Sequence, residues 1–183
     1  MYRRFFNPRQ HGEVYQNQPL LQLRSLPRDS RSIVIFVSGG AAYSQRYRHI
    51  QAAFSVFFGP SSFRNIASYV PRHYQQCRDI AELFAISATL QSLLKIIATN
   101  QFALPISRVV ICTCSPELRM AVAHPRLSRK KRRFWLRSRG HRVLMKDVLE
   151  RLVQLESLGL EVLFNLVSVD QTWESYGLMP PIY

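Results

Sequence analysis

The sequence predicts an α/β domain built on a five-stranded mixed sheet with helices on both faces. Runs of β-branched and apolar residues with the length of strands occur at 32–37, 52–58, 66–70, 109–113 and 160–167. Segments with apolar residues at helical spacing cover 79–99 and 147–158, and a further helix is expected to begin at Ser115-Pro116. Three consecutive strands followed by alternating helices and strands are typical of a mixed sheet covered by helices.

Turn-forming residues and caps are expected to delimit these elements. The run 32–37 is almost entirely apolar, as in a central strand buried on both faces, and Ser38-Gly39-Gly40-Ala41 is expected to break it. Ser115 has the position of a helix N-cap with proline at the first helical residue. Gly159 is expected to end the helix at 147–158.

The chain divides into three parts by composition. Residues 1–31 form a polar, basic leader that we expect to be mostly irregular, 32–176 form the folded domain, and 177–183 form a short tail. Within 172–176 the sequence allows about one helical turn, which Gly177 and the following prolines are expected to stop. An apolar content of 47% in 183 residues is enough for one hydrophobic core.

Several classes of protein are disfavoured by the sequence. No apolar run of about 18 residues is present to span a membrane, and the N-terminal residues lack an apolar signal core. Three cysteines suit a reducing compartment better than a disulfide framework. We therefore expect an intracellular protein, nuclear or cytoplasmic, although the arginine-rich leader is also compatible with a mitochondrial location.

Positive charge is concentrated in a basic insert at 126–142. The net charge of the chain is +14, and the insert has no acid but nine cations: Arg126, Arg129, Lys130, Lys131, Arg132, Arg133, Arg137, Arg139 and Arg142. Such a concentration is typical of proteins that bind a polyanion, so nucleic acid is the expected partner. No membrane partner and no small-molecule cofactor are expected.

Other interpretations of the insert remain open. Residues 129–133 also have the composition of a nuclear import signal, and a solvated loop is the plain alternative. Trp135 is either a platform on which bases stack or an anchor that docks the insert on the domain. His141 and Arg142 are expected to be solvated or to face phosphates.

Five short motifs, in order, resemble those of ribonuclease H domains, and most closely the fungal branch of that family. Members of this family have strands that end in Asp-Gly-Ala/Ser-Cys and Thr-Asp-Ser, and a helix with Ala-Glu-Leu. The similarity covers about residues 32–176 and rests on Ser38-Gly39-Gly40-Ala41, Val56-Phe57-Phe58-Gly59-Pro60, Ala81-Glu82-Leu83, Thr113-Cys114-Ser115 and Leu160-Glu161-Val162. The basic insert lies where the family has a tryptophan-containing basic protrusion.

The resemblance implies a site that has lost most of the metal-binding carboxylates of the family. The family uses four carboxylates to hold two Mg²⁺ ions, which activate water at a phosphodiester of an RNA–DNA hybrid. The matching positions here are Ser38, Glu82, Cys114 and Tyr176, of which Glu82 alone is a carboxylate. Mg²⁺ prefers charged oxygen ligands, and a thiolate is too soft for it. We therefore expect no resident metal and no two-metal hydrolysis.

Simpler roles also exist for these residues. Glu82 and Asp79 have the spacing of a helix-capping pair, so Glu82 is expected to cap the helix or to be a remnant with no present role, and residual metal binding is the alternative. Cys112 and Cys114 are two apart on a strand and are expected to face one side, where they pack or, together with Cys77, His73 or His49, bind zinc. Ser38-Gly39-Gly40 is a strand-end turn rather than a phosphate-binding loop.

The sequence thus predicts a catalytically impaired ribonuclease H-like domain that binds an RNA–DNA hybrid or a duplex through its basic insert. One alternative is a weakly active hybrid ribonuclease that uses Glu82 and an acid outside the motifs, such as Asp170 or Glu174. Another is a non-catalytic module that binds other proteins.

Overall fold

The computed structural model describes residues 4–7, 15–18, 22–45, 48–99, 105–123 and 139–182. The strands are β1 (Gln16–Gln18), β2 (Leu23–Ser25), β3 (Ser32–Ser44), β4 (His49–Phe57), β5 (Ile66–Tyr69), β6 (Arg108–Thr113) and β7 (Glu161–Leu166). The helices are α1 (Arg78–Ala98), α2 (Pro116–Ala123), α3 (Arg139–Ser157), a 3-10 helix (Val169–Thr172) and α4 (Trp173–Leu178).

The main sheet has five strands in the order β5-β4-β3-β6-β7. Strands β3, β4 and β5 form an antiparallel meander, whereas β6 runs parallel to both β3 and β7. The predicted mixed sheet and the five strand runs are thereby confirmed. Strands β1 and β2 form a separate two-stranded sheet.

Strand β3 is longer than the sequence predicts, and the expected break at Ser38-Gly39-Gly40-Ala41 is wrong. The strand continues to Ser44 and stays in register with β4 throughout, from Phe36 opposite Phe57 to Ser44 opposite His49. Gly39 serves close packing instead of a turn, because a Cβ atom there would lie 2.4 Å from the backbone nitrogen of Glu82. Glycine therefore lets helix α1 approach the strand.

The larger hydrophobic core fills one face of the sheet. Its buried residues come from alternate positions of β3, β4 and β6 and from helices α1, α2 and α3. Helix α1 is long and apolar enough to cross a bilayer by length and composition alone, but 61% of that apolar window is buried inside the protein. Its packing is that of a central core helix.

The second, smaller core covers the opposite face, and the leader contributes to it. Phe6 and Leu26 pack with the sheet residues Val34, Phe36 and Phe57. The Phe6 amide donates to the Phe164 carbonyl at 3.1 Å, so the leader also pairs with β7. The described part of the leader holds the short strands β1 and β2 and covers apolar sheet residues that water would otherwise contact.

Two predicted helix boundaries agree with the structure, and two helices are longer than predicted. The Leu118 amide donates to Ser115 Oγ at 3.2 Å, and Gly159 has a φ of +84°, which confirms both caps. Helix α3 begins at Arg139, eight residues before the expected start, so the last residues of the predicted insert are helical. Helix α4 continues through Gly177 to Leu178 instead of stopping before it.

Candidate functional site

The candidate site lies where the carboxyl end of β6 meets the first turns of α1. Cys114 is the first residue after β6, and Glu82 is on the second turn of α1. Gly39 of β3 lies directly against the Ala81–Glu82 backbone. Residues separated by more than 30 positions in the chain are thereby brought together at one edge of the sheet.

Three side chains form a continuous hydrogen-bonded chain at this edge. Arg78 Nη2 donates to Cys114 Sγ at 2.8 Å, and Cys114 Sγ donates to Glu82 Oε1 at 3.2 Å. Glu82 has no exposed surface, and its Oε2 atom has no hydrogen-bond partner. The arrangement extends from an exposed guanidinium, through a half-buried thiol, to a buried carboxyl group.

Burial dominates the electrostatics of these groups. Desolvation raises the pKa of Glu82 from 4.5 to about 6, although the Cys114 hydrogen bond and the Arg78 charge oppose the shift. Burial, together with the Glu82 charge, raises the pKa of Cys114. The thiol is therefore protonated at neutral pH, as its role as donor to Glu82 requires.

Two further carboxylates lie close enough to affect this site. Burial and the charge of Glu117 raise the pKa of Asp79, and both acids raise the pKa of Glu82. Burial alone would lower the pKa of Arg78, but the neighbouring Cys114 and Glu82 raise it overall. Arg78 and Glu117 were not among the predicted site residues. For Arg78 a signal existed, because it precedes Glu82 by four residues on a helix.

Ser38 is buried but does not join the chain of hydrogen bonds. Strand alternation places its side chain on the face of Phe36, opposite to the face that α1 covers. Its register partner, Ser55, donates a hydrogen bond to the Ser175 carbonyl of α4. Ser38 Oγ itself is buried without a hydrogen-bond partner.

Tyr176 lies on α4 beside the same strand. Its side chain is 57% exposed, and its hydroxyl would be 3.7 Å from a Cβ atom placed on Gly40. Of the four positions that the resemblance matches, the structure joins Glu82 and Cys114 by a hydrogen bond. It places Ser38 and Tyr176 on the other side of β3, next to α4.

The capping interpretation of Glu82 is wrong. The N-cap of α1 is Cys77, and it makes no side-chain capping bond. The Glu82 carboxyl group instead accepts from Cys114 across the space between α1 and β6. Glu82 lies on the second turn of α1, and its side chain points toward the sheet. It therefore does not reach the first-turn amides, which have no acceptor within the helix.

The two strand cysteines do not face one side as expected. Cys112 is buried in the second core, where burial raises its pKa to about 12, which confirms its packing role. Cys114 follows the last residue of β6, so strand alternation no longer applies to it, and it contacts α1 instead. Among the residues that the structure describes, no three His, Cys, Asp or Glu side chains are grouped to hold a metal.

The donor set does not fit a pair of Mg²⁺ ions. At the four matched positions, one buried carboxyl group, a protonated thiol, a serine and a tyrosine provide at most one negative charge, and a guanidinium lies 2.8 Å from the thiol. Two divalent cations close together would repel each other and Arg78 strongly under these conditions. The geometry is that of protein side chains hydrogen-bonded to one another.

Most of the predicted nucleic-acid contacts lie outside the described residues. These are Arg126, Arg129, Lys130, Lys131, Arg132, Arg133, Trp135 and Arg137. Arg139 is the first residue of α3, and Arg142 on the same helix is exposed, as expected. His141 contradicts the expectation of a solvated side chain, because it is 6% exposed and lies near Asp79. Burial lowers its pKa.

Comparison with known proteins places the fold. The sequence matches no protein-family profile and no curated protein. The structure is similar to LC11-RNase H1, isolated from compost by a metagenomic approach, with a TM-score of 0.57 and 12% identity over 81% of this chain and 92% of that one. The same enzyme in complex with an RNA/DNA hybrid gives a TM-score of 0.54 with 11% identity, covering 79% and 91%.

A third similar structure is the N-terminal RNase H domain of a Mycobacterium tuberculosis protein, studied as a fusion with maltose binding protein. Its TM-score is 0.51 with 9% identity, covering 79% of this chain and 95% of that one. At these identities the likeness shows the fold, and the strand order of the sheet agrees with it. The chain has a ribonuclease H-like α/β fold, as the motifs predict.

Proposed function

We propose that this ribonuclease H-like chain binds nucleic acid, with an RNA–DNA hybrid as the first candidate, and does not cleave it by a two-metal mechanism. The degenerate site and the fungal type both remain predictions from the sequence motifs. The support for the proposal comes from the chemistry of the site, the charge of the chain and the fold.

The contact between Arg78 and Cys114 is the observation that carries the proposal. A guanidinium is bonded to the residue that stands where the family has a metal-binding aspartate, and that residue in turn donates to Glu82. The Arg78 guanidinium in this position repels a metal ion, and the protonated Cys114 thiol carries no negative charge to offset that repulsion. The edge is organised by hydrogen bonds between protein groups, which is consistent with a lost hydrolase site.

Nucleic acid as the partner is supported by charge and by analogy. The net charge is +14, and nine of the cations fall between 126 and 142. One of the structurally similar proteins, LC11-RNase H1, was solved in complex with an RNA/DNA hybrid. Contacts from lysine and arginine to phosphates would bind many sequences with similar affinity.

A weak hydrolase is the second candidate, because Asp79 and Glu117 act electrostatically on Glu82. Neither of these two acids is one that the sequence suggested. Glu174 is unsuitable, because it pairs with Arg24 at 2.6 Å, and Asp170 is exposed on the 3-10 helix. A hydrolase of this kind would depend on Glu82.

A salt titration tests the binding proposal. Filter binding of the full chain to an RNA–DNA hybrid is expected to weaken steeply as salt concentration rises, since counterions are released from the phosphates. Replacing residues 129–133 by glutamine should lower affinity for all sequences alike and flatten the salt response. Absence of binding at low salt, or binding that does not respond to salt, contradicts the proposal. Pull-down of proteins that survives nuclease treatment would instead favour a protein-binding module.

A cleavage assay and a restored site test the catalytic part. With Mg²⁺ or Mn²⁺, the wild-type chain should cleave a hybrid no faster than the Glu82→Gln variant, whereas cleavage that disappears in this variant would establish the weak hydrolase. The double variant Arg78→Ala with Cys114→Asp, which removes the guanidinium and places a second carboxylate beside Glu82, should gain a rise in melting temperature on addition of Mn²⁺. The matched control, Arg78→Ala with Cys114→Asn, should show no such rise.

A further inference from the structure

A long carboxylate-free segment leads into the candidate site. From residue 30 to residue 78 the sequence contains six arginines and two histidines but no aspartate or glutamate. This segment forms the β3–β4–β5 meander and the loop before α1. The segment is therefore positively charged, with no acidic residue of its own to offset the arginines. It does not overlap the basic insert in sequence.

The part of the meander that extends past β6 forms a two-stranded arm. β3 pairs with β6 only between Ser32 and Phe36, whereas its pairing with β4 continues to Ser44 opposite His49. At the outer part of this arm Tyr43 lies directly opposite Ile50. The two side chains are 60% and 51% exposed.

The loop before α1 is attached to the base of this arm. The Val70 amide donates to the Ala52 carbonyl at 2.8 Å, and the Ala52 amide donates to Gln76 Oε1 at 2.9 Å. The loop carries Arg72 and His73, both exposed. Side-chain alternation along β3 places Tyr43 on the same face as Gly39, which is the face that α1 covers.

One surface therefore combines exposed apolar and aromatic side chains with cations. We define the arm surface as Tyr43, Arg48, Ile50, Arg72 and His73. Arg48 is exposed and precedes β4, with a φ of +53°. Two large exposed side chains on an arm that also carries exposed arginine, with no acid in the whole segment, suit a ligand that has both flat apolar faces and negative charge.

We propose that the arm surface binds an unpaired nucleotide segment next to a duplex. The inference rests on the proposed nucleic-acid binding and names its substrate class. The Tyr43 ring, supported by Ile50, stacks on an unpaired base, while arginines contact the flanking phosphates. A duplex does not satisfy this surface, because its bases are already stacked on each other and their faces are not accessible.

Fluorescence anisotropy with the full chain tests the inference. The probes are a blunt RNA–DNA hybrid and the same hybrid with a short single-stranded overhang. The wild-type chain should bind the overhang probe about fivefold or more tightly than the blunt probe, as stacking of one base predicts. Tyr43→Ser should remove this difference and leave affinity for the blunt probe unchanged, whereas Tyr43→Phe, the matched control that keeps the ring, should retain it.

A second variant tests whether the effect of Tyr43→Ser comes from the binding surface and not from local misfolding at that position. Ile50→Asp, which introduces a carboxylate opposite Tyr43, should also reduce affinity for the overhang probe. Because both positions are exposed, neither Tyr43→Ser nor Ile50→Asp should change the melting temperature of the protein. Equal affinity for the two probes, or a difference that persists in Tyr43→Ser, overturns the inference while the proposed function stands. If the blunt probe does not bind even at low salt, the proposed function itself is wrong.

Discussion

Glu82 is an acidic side chain enclosed by the protein, and its ionisation is costly. Its only hydrogen-bond donor in the described part of the chain is the Cys114 thiol, and burial raises its pKa to about 6. The folded protein therefore holds the Glu82 proton more tightly than the unfolded chain does. Between about pH 4.5 and 6 folding takes up a proton at this site, so the contribution of Glu82 to stability falls as pH rises.

We predict that Glu82→Gln removes this pH-dependent loss. Above pH 6 the ionised carboxylate destabilises the fold by roughly 2 kcal/mol, because burial raises the pKa of Glu82 from 4.5 to about 6. The neutral amide keeps an oxygen that accepts from Cys114. Urea unfolding of both proteins between pH 4.5 and 7.5 should show the variant gaining stability relative to wild type as pH rises. A constant difference across that range would contradict the assignment.

Gly39 is needed for the contact between β3 and α1. We predict that Gly39→Ala destabilises the protein by roughly 1–3 kcal/mol, because the new methyl group would overlap backbone atoms of Ala81 and Glu82. Urea unfolding measures the change. The matched control is Gly177→Ala in helix α4, where a Cβ atom meets nothing within 4 Å and should be neutral or stabilising. Equal effects of the two substitutions would show that the close approach is unimportant.

Arg24 connects three elements on the second face of the sheet. Its guanidinium lies over the rings of Tyr15, Phe36 and Phe57 at 4.6, 5.3 and 4.7 Å. It also pairs with Glu174 of α4 at 2.6 Å. A buried cation destabilises the fold unless its charge is paired. The Arg24–Glu174 ion pair therefore links the β1–β2 hairpin of the leader to helix α4.

We predict that Glu174→Gln destabilises the protein by roughly 3 kcal/mol, because the Arg24 charge is left buried without its counter-ion. Hydrogen exchange should become faster in both the β1–β2 hairpin and α4, and remain unchanged in α1. The control is Glu150→Gln, which breaks the exposed pair with Lys146 and should change stability by less than about 1 kcal/mol. Faster exchange in α4 alone would show that the hairpin is held independently.

The described part of the chain folds around a sheet whose two faces are covered by different elements. Helices α1, α2 and α3 cover one face, and the leader and α4 cover the other. The leader is attached by the pairing of Phe6 with Phe164 and by the Arg24–Glu174 ion pair. Its described residues are therefore part of the cooperative unit rather than an appendage.

We predict that deletion of residues 1–31 prevents cooperative folding. Phe36, Phe57 and their neighbours would become exposed, and Glu174 would lose its partner. The truncated chain should bind a hydrophobic dye and unfold in urea with a lower slope than the full chain. A truncated chain with the same slope and midpoint as the full chain would show that the leader is dispensable for folding.

Local patterns were sufficient to predict most of the secondary structure. Strand runs, the apolar face of α1, the Ser115 cap and the Gly159 terminus depend on residues close in sequence, so their signals are readable without the fold. The mixed five-stranded sheet was predicted from the order of elements and from the resemblance in motifs, whereas the order of its strands comes from the structure. The same motifs matched Ser38, Glu82, Cys114 and Tyr176 to one site, and the structure joins two of them, Glu82 and Cys114, at 3.2 Å.

Contacts between distant segments were decided only by the tertiary structure. Gly39 and Gly40 have the local signal of a break, yet β3 continues through them because α1 packs against that strand. The leader has no apolar pattern of its own, yet its described part packs against the sheet. The roles of Arg78, Arg24 and His141 depend on partners far away in the chain. Burial and pairing of charges are properties of the assembled fold, and no local window of sequence contains them.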